Sequence, residues 1–273
     1  MLTRVLTGVI GAILAIFVVI LGNPIFKYAL LAISLIGAYE FYNATKNESV
    51  HPQKPIPIIG YIAIIVLYIF TGFIEPRFDM FMAAVVIVSM IIMVLAYPKY
   101  SIIDIVLTIF PIVYVGLFFV YIAQLRDMNL GVFGIGMIAI SAWGSDTCAY
   151  FTGRAIGKHK LAPVLSPKKT IEGSIGGIIG AAILTTLFAV VYTNFEGQEA
   201  ILDGKLIWVI VISMIAALIS QFGDLAASAI KRYFNQKDYG NLLPGHGGIL
   251  DRFDSVLFVV PIVYIALRFL EGV

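Results

Sequence analysis

Asp224-Leu-Ala-Ala-Ser-Ala-Ile-Lys-Arg-Tyr-Phe-Asn-Gln-Lys-Asp-Tyr-Gly-Asn-Leu-Leu-Pro-Gly-His-Gly-Gly-Ile-Leu-Asp-Arg-Phe-Asp254 is a charged island between two apolar runs, about 205–224 and 254–271. Asp224, Lys231, Arg232, Lys237, Asp238, Asp251, Arg252 and Asp254 lie in this one stretch, in a chain of 273 residues with only 18 Lys and Arg and 16 Asp and Glu. The two signs are balanced and surround a Gly-His-Gly-Gly turn, Gly245–Gly248. The flanking apolar runs decide the fold, because each is long enough to cross a bilayer as a helix.

Outward from the island the same pattern repeats. Hydrophobic residues make up 60% of the chain and charged ones 12%, and mean hydropathy is +1.00. Soluble domains are about a quarter charged, so a polytopic all-α membrane protein is expected. Spans of about 20 apolar residues fall near 5–22, 25–43, 56–75, 79–97, 102–124, 132–153, 173–194, 205–224 and 254–271, about nine in all. The first is too long for a signal-peptide core and ends Gly-Asn-Pro with no small-x-small cleavage site, so it reads as a span. By chain order, 1–130 holds the N-terminal helices and 131–273 the helices carrying the catalytic site, within one integral membrane unit. Pro111 is expected to kink the fifth span. Gly173 with Gly177, and Gly176 with Gly180, form small-xxx-small pairs suited to close helix packing within or between chains, so a homodimer is an open possibility.

Orientation follows from the basic residues. Nine spans put Arg4, Lys46, Lys54, Lys99, Arg154, Lys158, Lys160, Lys168, Lys169, Lys231, Arg232, Lys237 and Arg252 on one side. Lys27, Arg77, Arg126, Lys205 and Arg268 fall on the other. The excess predicts a cytoplasmic N-terminus and cytoplasmic polar loops. The triplets at Asn43 and Asn47 then lie on the cytoplasmic side and are discounted as glycosylation sites. The single Cys148 excludes an internal disulfide and a multi-cysteine metal centre. A net charge of +2 points to no nucleic-acid partner.

A second polar zone starts inside span six: Ser145-Asp146, Tyr150, Gly153-Arg154, then Lys158, His159, Lys160 and Ser166-Pro-Lys-Lys-Thr-Ile-Glu-Gly173. Ionisable groups inside a span are costly, which makes Asp146 and Asp224 functional candidates. Continued helically, span eight puts Ser228, Lys231 and Arg232 on the face of Asp224. Asp251 and Asp254 share a face if the last helix begins near Gly248. Carboxylates without cysteine suit hard cations such as Mg²⁺, and Lys and Arg around them suit phosphate. Gly245, Gly247 and Gly248 would let backbone N–H groups approach an anion. Such equipment suits phosphoryl or nucleotidyl transfer. Read alone, Lys231-Arg232 and Lys168-Lys169 are equally consistent with positive-inside anchors, and His51 and His159 read as solvated loop residues.

Ser228-x-Ile-Lys231-Arg232-x₄-Lys237-Asp238-x-Gly240-x₂-Leu243-Pro244-x-His246-Gly247-Gly248-Ile249-x-Asp251-Arg252-Phe253-Asp254 resembles the signature of the phosphatidate cytidylyltransferases, also called CDP-diacylglycerol synthases. The upstream Asp146 and Ser166–Gly173 segments are similar to that family as well. The resemblance implies transfer of CMP from CTP to phosphatidic acid, with Mg²⁺ and a second cation as a possible pair. On this reading Asp224, Asp251, Asp254 and Asp146 would be metal ligands. Lys231, Arg232, Lys237 and Arg252 would hold the phosphates with Ser228, Gly247 and Gly248. Lys168 and Lys169 would reach CTP, and His246 would contact a phosphate. The lipid would enter from the bilayer and CTP from the cytoplasm, at a site on the cytoplasmic face of the cell's inner (cytoplasmic) membrane. Two alternatives remain at this stage: a related cytidylyltransferase acting on an isoprenoid ether lipid phosphate, and a polytopic transporter using its carboxylates as an ion site.

Overall fold

The computed structural model describes residues 2–46, 54–74, 77–196 and 204–272, with residues 2–6, 73 and 195–196 by backbone alone. The Arg4 side chain, His51 and the Asn47 triplet therefore lie outside the described residues. Among the described residues, nine helices follow the expected order. They are α1 (Leu2–Leu21), α2 (Ile25–Thr45), α3 (Pro57–Ile69), α4 (Phe78–Leu95), α5 (Ile102–Arg126), α6 (Gly131–Ile156), α7 (Ile171–Glu196), α8 (Leu206–Tyr233) and α9 (Leu250–Glu271). Among the described residues, seven are long and apolar enough to cross a membrane, and Thr7–Leu21 and Pro57–Ile69 are shorter apolar helices. The chain is a polytopic all-α membrane protein.

Local chemistry explains the departures from simple spans. The third apolar segment breaks after Ile69 and resumes as the short turn Thr71–Ile74. Thr71 Oγ1 donates to the carbonyls of Leu67 and Tyr68, a side-chain bond that competes with the helix ladder. Helix α5 starts on a capping box: Ser101 Oγ accepts from Asp104 N–H, and the Asp104 carboxylate accepts from Ser101 N–H at 2.7 Å. Pro111 does not simply bend α5. It is followed by a π-helical stretch, Ile112–Leu117, the wider turn that accommodates a missing ladder donor. A second π stretch, Ile140–Gly144, lies just before Asp146 in α6.

The division near residue 130 is one of chain order; by packing, the chain forms two compact units. The first comprises Met1–Ala123 and Lys231–Arg252, the second Gln124–Ile230 and Phe253–Val273. The chain passes between them inside α8, between Ile230 and Lys231, and inside α9, between Arg252 and Phe253.

In the first unit Phe41, Tyr42, Ile64, Tyr68, Ile112, Val115 and Phe119 are fully buried. Two hydrogen bonds there join buried polar groups: Ser34 Oγ lies 2.8 Å from Tyr68 Oη, and Tyr42 Oη donates to Thr108 O. The loop from Phe234 to Ile249 lies against α2, with Tyr239 stacked on Phe41 at 6.3 Å between ring centroids.

In the second unit α6 and α7 pack through the glycines singled out from the sequence. A Cβ at Gly176 would come within 2.3 Å of Thr152 Oγ1, and one at Gly180 within 2.5 Å of the Cys148 side chain. Gly173 and Gly177 lie against the carbonyls of Ala149 and Ser145. The small-residue face thus serves packing within the chain, and Cys148 acts as a small packed side chain. An antiparallel hairpin, β1 (Lys160–Ala162) with β2 (Ser166–Thr170), joins the two helices. Thr170 Oγ1 accepts from Gly173 N–H at the start of α7.

Candidate active site

The charged residues singled out from the sequence fall into two groups, one in each unit. In the second unit the hairpin delivers Lys169 to Asp224 near the end of α8, with Nζ and Oδ2 2.5 Å apart. Both side chains are about a quarter exposed, while the Lys169 ammonium nitrogen itself is buried. Asp146, two residues past the π stretch of α6, lies within electrostatic reach of both Lys169 and Asp224. π turns recur at functional sites because they re-aim the side chains beyond them.

Three contacts hold this group in place. Ser174 Oγ donates to Gln221 Oε1 at 2.5 Å while Gln221 Nε2 donates to Ser174 O, which ties the start of α7 to the turn before Asp224. Gly223 admits α9 closely: a Cβ there would lie 3.0 Å from Asp254 O and 2.9 Å from Phe258 Cβ. Trp143, in the π stretch, packs edge-on against Phe253 at 5.9 Å. Asp254 itself is buried, and its Oδ1 accepts from Ser255 N–H.

The second group is in the first unit, at the end of α8 and the start of α9. Lys231 Nζ donates to Asp251 Oδ1 at 2.8 Å, and both side chains are buried. The ammonium also lies 5.3 Å from the centre of the Tyr239 ring. Asp251 Oδ2 accepts from Tyr239 N–H at 2.8 Å and Gly248 N–H at 3.0 Å. Asp251 is therefore the hub of the loop. The glycine turn does face anions, and those in contact are the protein's own carboxylates. Gly245 and Gly247 have φ of 78° and 82°, a left-handed conformation that disfavours side chains. A Cβ on Gly247 would also come 3.0 Å from Asp251 Oδ2. His246 Nδ1 lies 2.8 Å from Thr7 Oγ1, a contact with α1 that spacing does not reveal.

The remaining candidates are more peripheral. Lys168, Arg232, Lys237 and Arg252 are exposed, and Arg232 donates to Gln236 O as a cap on α8. Ser228 is half-buried. Arg154 reaches the Tyr150 hydroxyl one turn earlier, at 3.5 Å. His159 is exposed and pairs with Glu172 at 2.6 Å. Within neither unit do the described residues gather three His, Cys, Asp or Glu side chains at metal-binding distance.

Two buried acids, Asp104 and Glu40, lie outside the set of candidates read from the sequence. Glu40, in α2, is only 4% exposed and accepts from the N–H groups of Ile249 at 3.0 Å and Leu250 at 2.8 Å. The signal was available: Glu40 is the one carboxylate within the second apolar run, and an ionisable group in a span marks a candidate.

Apolar helices long enough to cross a membrane, with carboxylate–lysine pairs on the last of them, define the class: a polytopic membrane protein. The chain matches the model of the cytidylyltransferase family over residues 2–270, and it belongs to that family. It is 34% identical to a phosphatidate cytidylyltransferase of Bacillus subtilis (strain 168), over 97% of this chain and 96% of that protein. Proteins of the same name from Staphylococcus saprophyticus and Staphylococcus aureus (strain COL) are each 32% identical, over 98% of this chain and 99% of theirs.

Proposed function

We propose that the chain transfers CMP from CTP to phosphatidic acid, releasing pyrophosphate and leaving CDP-diacylglycerol in the bilayer. Likeness over nearly the full chain to proteins named for that activity carries the reading. The chemistry of the two charged groups fits it. A phosphate oxygen of the lipid attacks the α-phosphorus of CTP, and the bond to the β-phosphate oxygen breaks with its electron pair on pyrophosphate. The nucleophile is already anionic, so the residues must position two anions and offset their charge.

Lys169, with the neighbouring Lys168, is assigned to the CTP phosphates, and Lys231, the partner of Asp251, to a phosphate oxygen of the substrates. Arg232, Lys237 and Arg252 are assigned to the charge around the incoming substrates. Asp146 and Asp224 fit a cation of the Mg²⁺ type, which takes one or two carboxylates and fills its shell with water and phosphate oxygens. When bound, such an ion withdraws charge from the transferring phosphoryl group. Asp251, saturated by Lys231 and two backbone donors, is assigned to shaping the loop as much as to a cation. The excess of basic residues on one side supports a site that faces the cytoplasm, and the bacterial relatives support the inner membrane.

Pyrophosphate release by purified protein in nanodiscs tests the reading, with each nucleoside triphosphate offered against a panel of lipid phosphates. Release that requires CTP and phosphatidic acid, is lost with EDTA and returns with Mg²⁺ is the expected result. Release only with an isoprenoid ether lipid phosphate would move the substrate assignment. Solute uptake into vesicles without pyrophosphate release would replace the enzyme reading by a transporter.

A further inference from the structure

We infer that Glu40 is a positioning residue for the transfer reaction, holding the Gly248–Asp251 turn and through it the Asp251–Lys231 pair. The inference rests on the reading that Asp251 and Lys231 serve the transfer.

A carboxylate at this depth in an apolar helix is costly unless donors replace its water. Here the donors are two backbone N–H groups at the positive end of α9, an arrangement that favours an anion. The residues before Leu250 are Gly247, Gly248 and Ile249, none of which carries a capping oxygen. Asp251 takes the Gly248 N–H, so the next two donors depend on a residue about 210 positions earlier in the chain. Three consecutive amides are thus divided between two carboxylates, and Asp251 also holds Lys231.

The loop is moulded on Glu40 from two sides. A Cβ at Gly240 would lie 2.6 Å from Oε1, and one at Gly248 would lie 2.5 Å from Oε2. Immediately before the first of these glycines, Tyr239 bonds Asp251 through its amide and stacks on Phe41, the residue after Glu40. The glycines of the loop are explained by the carboxylate they surround. Shift Glu40, and Ile249, Leu250 and Asp251 lose their common reference.

The test uses the full chain in nanodiscs, with activity expressed per folded molecule. Glu40→Gln offers one acceptor oxygen to two separate amides and turns an N–H toward the other. Its kcat is expected to fall about 10- to 100-fold, the rate equivalent of a lost charge-assisted hydrogen bond. The KM for CTP is expected to stay within about threefold of the parent value. Glu40→Asp keeps both acceptors on a shorter arm and is expected to recover much of the rate. Ser34→Ala, which loses a buried hydrogen bond on the same helix, is the control: a lower melting temperature with unchanged kcat. Glu40→Gln behaving like Ser34→Ala would overturn the positioning role. Asp251→Asn, measured in parallel, separates the two readings. If it is inactive while Glu40→Gln retains full activity, only the positioning role falls. If Asp251→Asn is itself active, the assignment of Asp251 falls, and the role of Glu40 with it.

Discussion

A carboxylate surrounded by hydrocarbon persists only where fixed donors stand in for water. Asp104, Glu40 and Asp251 solve this with backbone amides and, for Asp251, one ammonium. Asp224 is different: it is partly exposed, pairs with Lys169 and lies within electrostatic reach of Asp146, which suits it to a cation. Asp224→Asn is therefore expected to remove CTP-dependent pyrophosphate release, more than about 100-fold, with little change in melting temperature. Full turnover would remove Asp224 from the metal assignment. The Lys231–Asp251 pair behaves in the opposite way. Lys231→Ala leaves a buried carboxylate without its counter-ion, expected to cost about 3–5 kcal/mol of stability. The Lys231→Ala/Asp251→Ala double variant is expected to be more stable than the sum of the single changes, as measured by unfolding in detergent. Additive losses would mean that the two groups do not act as a buried pair.

At the scale of elements, glycine patterns that look alike in sequence do different work. Gly176 is filled by Thr152, whereas nothing lies within 4 Å of the Cβ that Gly11 would carry. Gly176→Val is expected to lower stability by at least about 1–3 kcal/mol through overpacking, while Gly11→Ala is tolerated; thermal melts of the two variants check this. Equal stability would show that α6 and α7 can separate without penalty. In the loop, Gly247→Ala must hold a left-handed backbone and approach Asp251, and it is expected to cost about 1–2 kcal/mol together with activity. The hairpin matters for a comparable reason. Paired strands hold Lys169 on a short rigid arm, where an open loop would leave it to sample many positions.

At the scale of the molecule, the expected topology places the hairpin and the Gly240–Gly248 loop on the cytoplasmic side. A cysteine introduced at Lys168 or Asp238, in a Cys148→Ser background, is expected to react with an impermeant maleimide in inside-out vesicles and to resist it in right-side-out ones. The reverse pattern would invert the orientation.

The amino-acid sequence by itself determined the apolar spans, because about 20 consecutive apolar residues have few alternatives to crossing a bilayer. It also marked Asp146, Lys169, Asp224, Lys231 and Asp251, because charges in so apolar a chain stand out against their surroundings. Tertiary structure alone decided their partners. Lys169 goes to Asp224 and Lys231 to Asp251, although the family resemblance implied phosphate for both lysines and metal for both acids. Glu40 acquires its place in the opening stretch, Asp224–Asp254, only through contact, since helical periodicity relates residues three or four apart and says nothing about one 210 positions away. The Gly-His-Gly-Gly turn announces in sequence that an anion comes close; that the nearest anions are Glu40 and Asp251 follows from which helix packs beneath it.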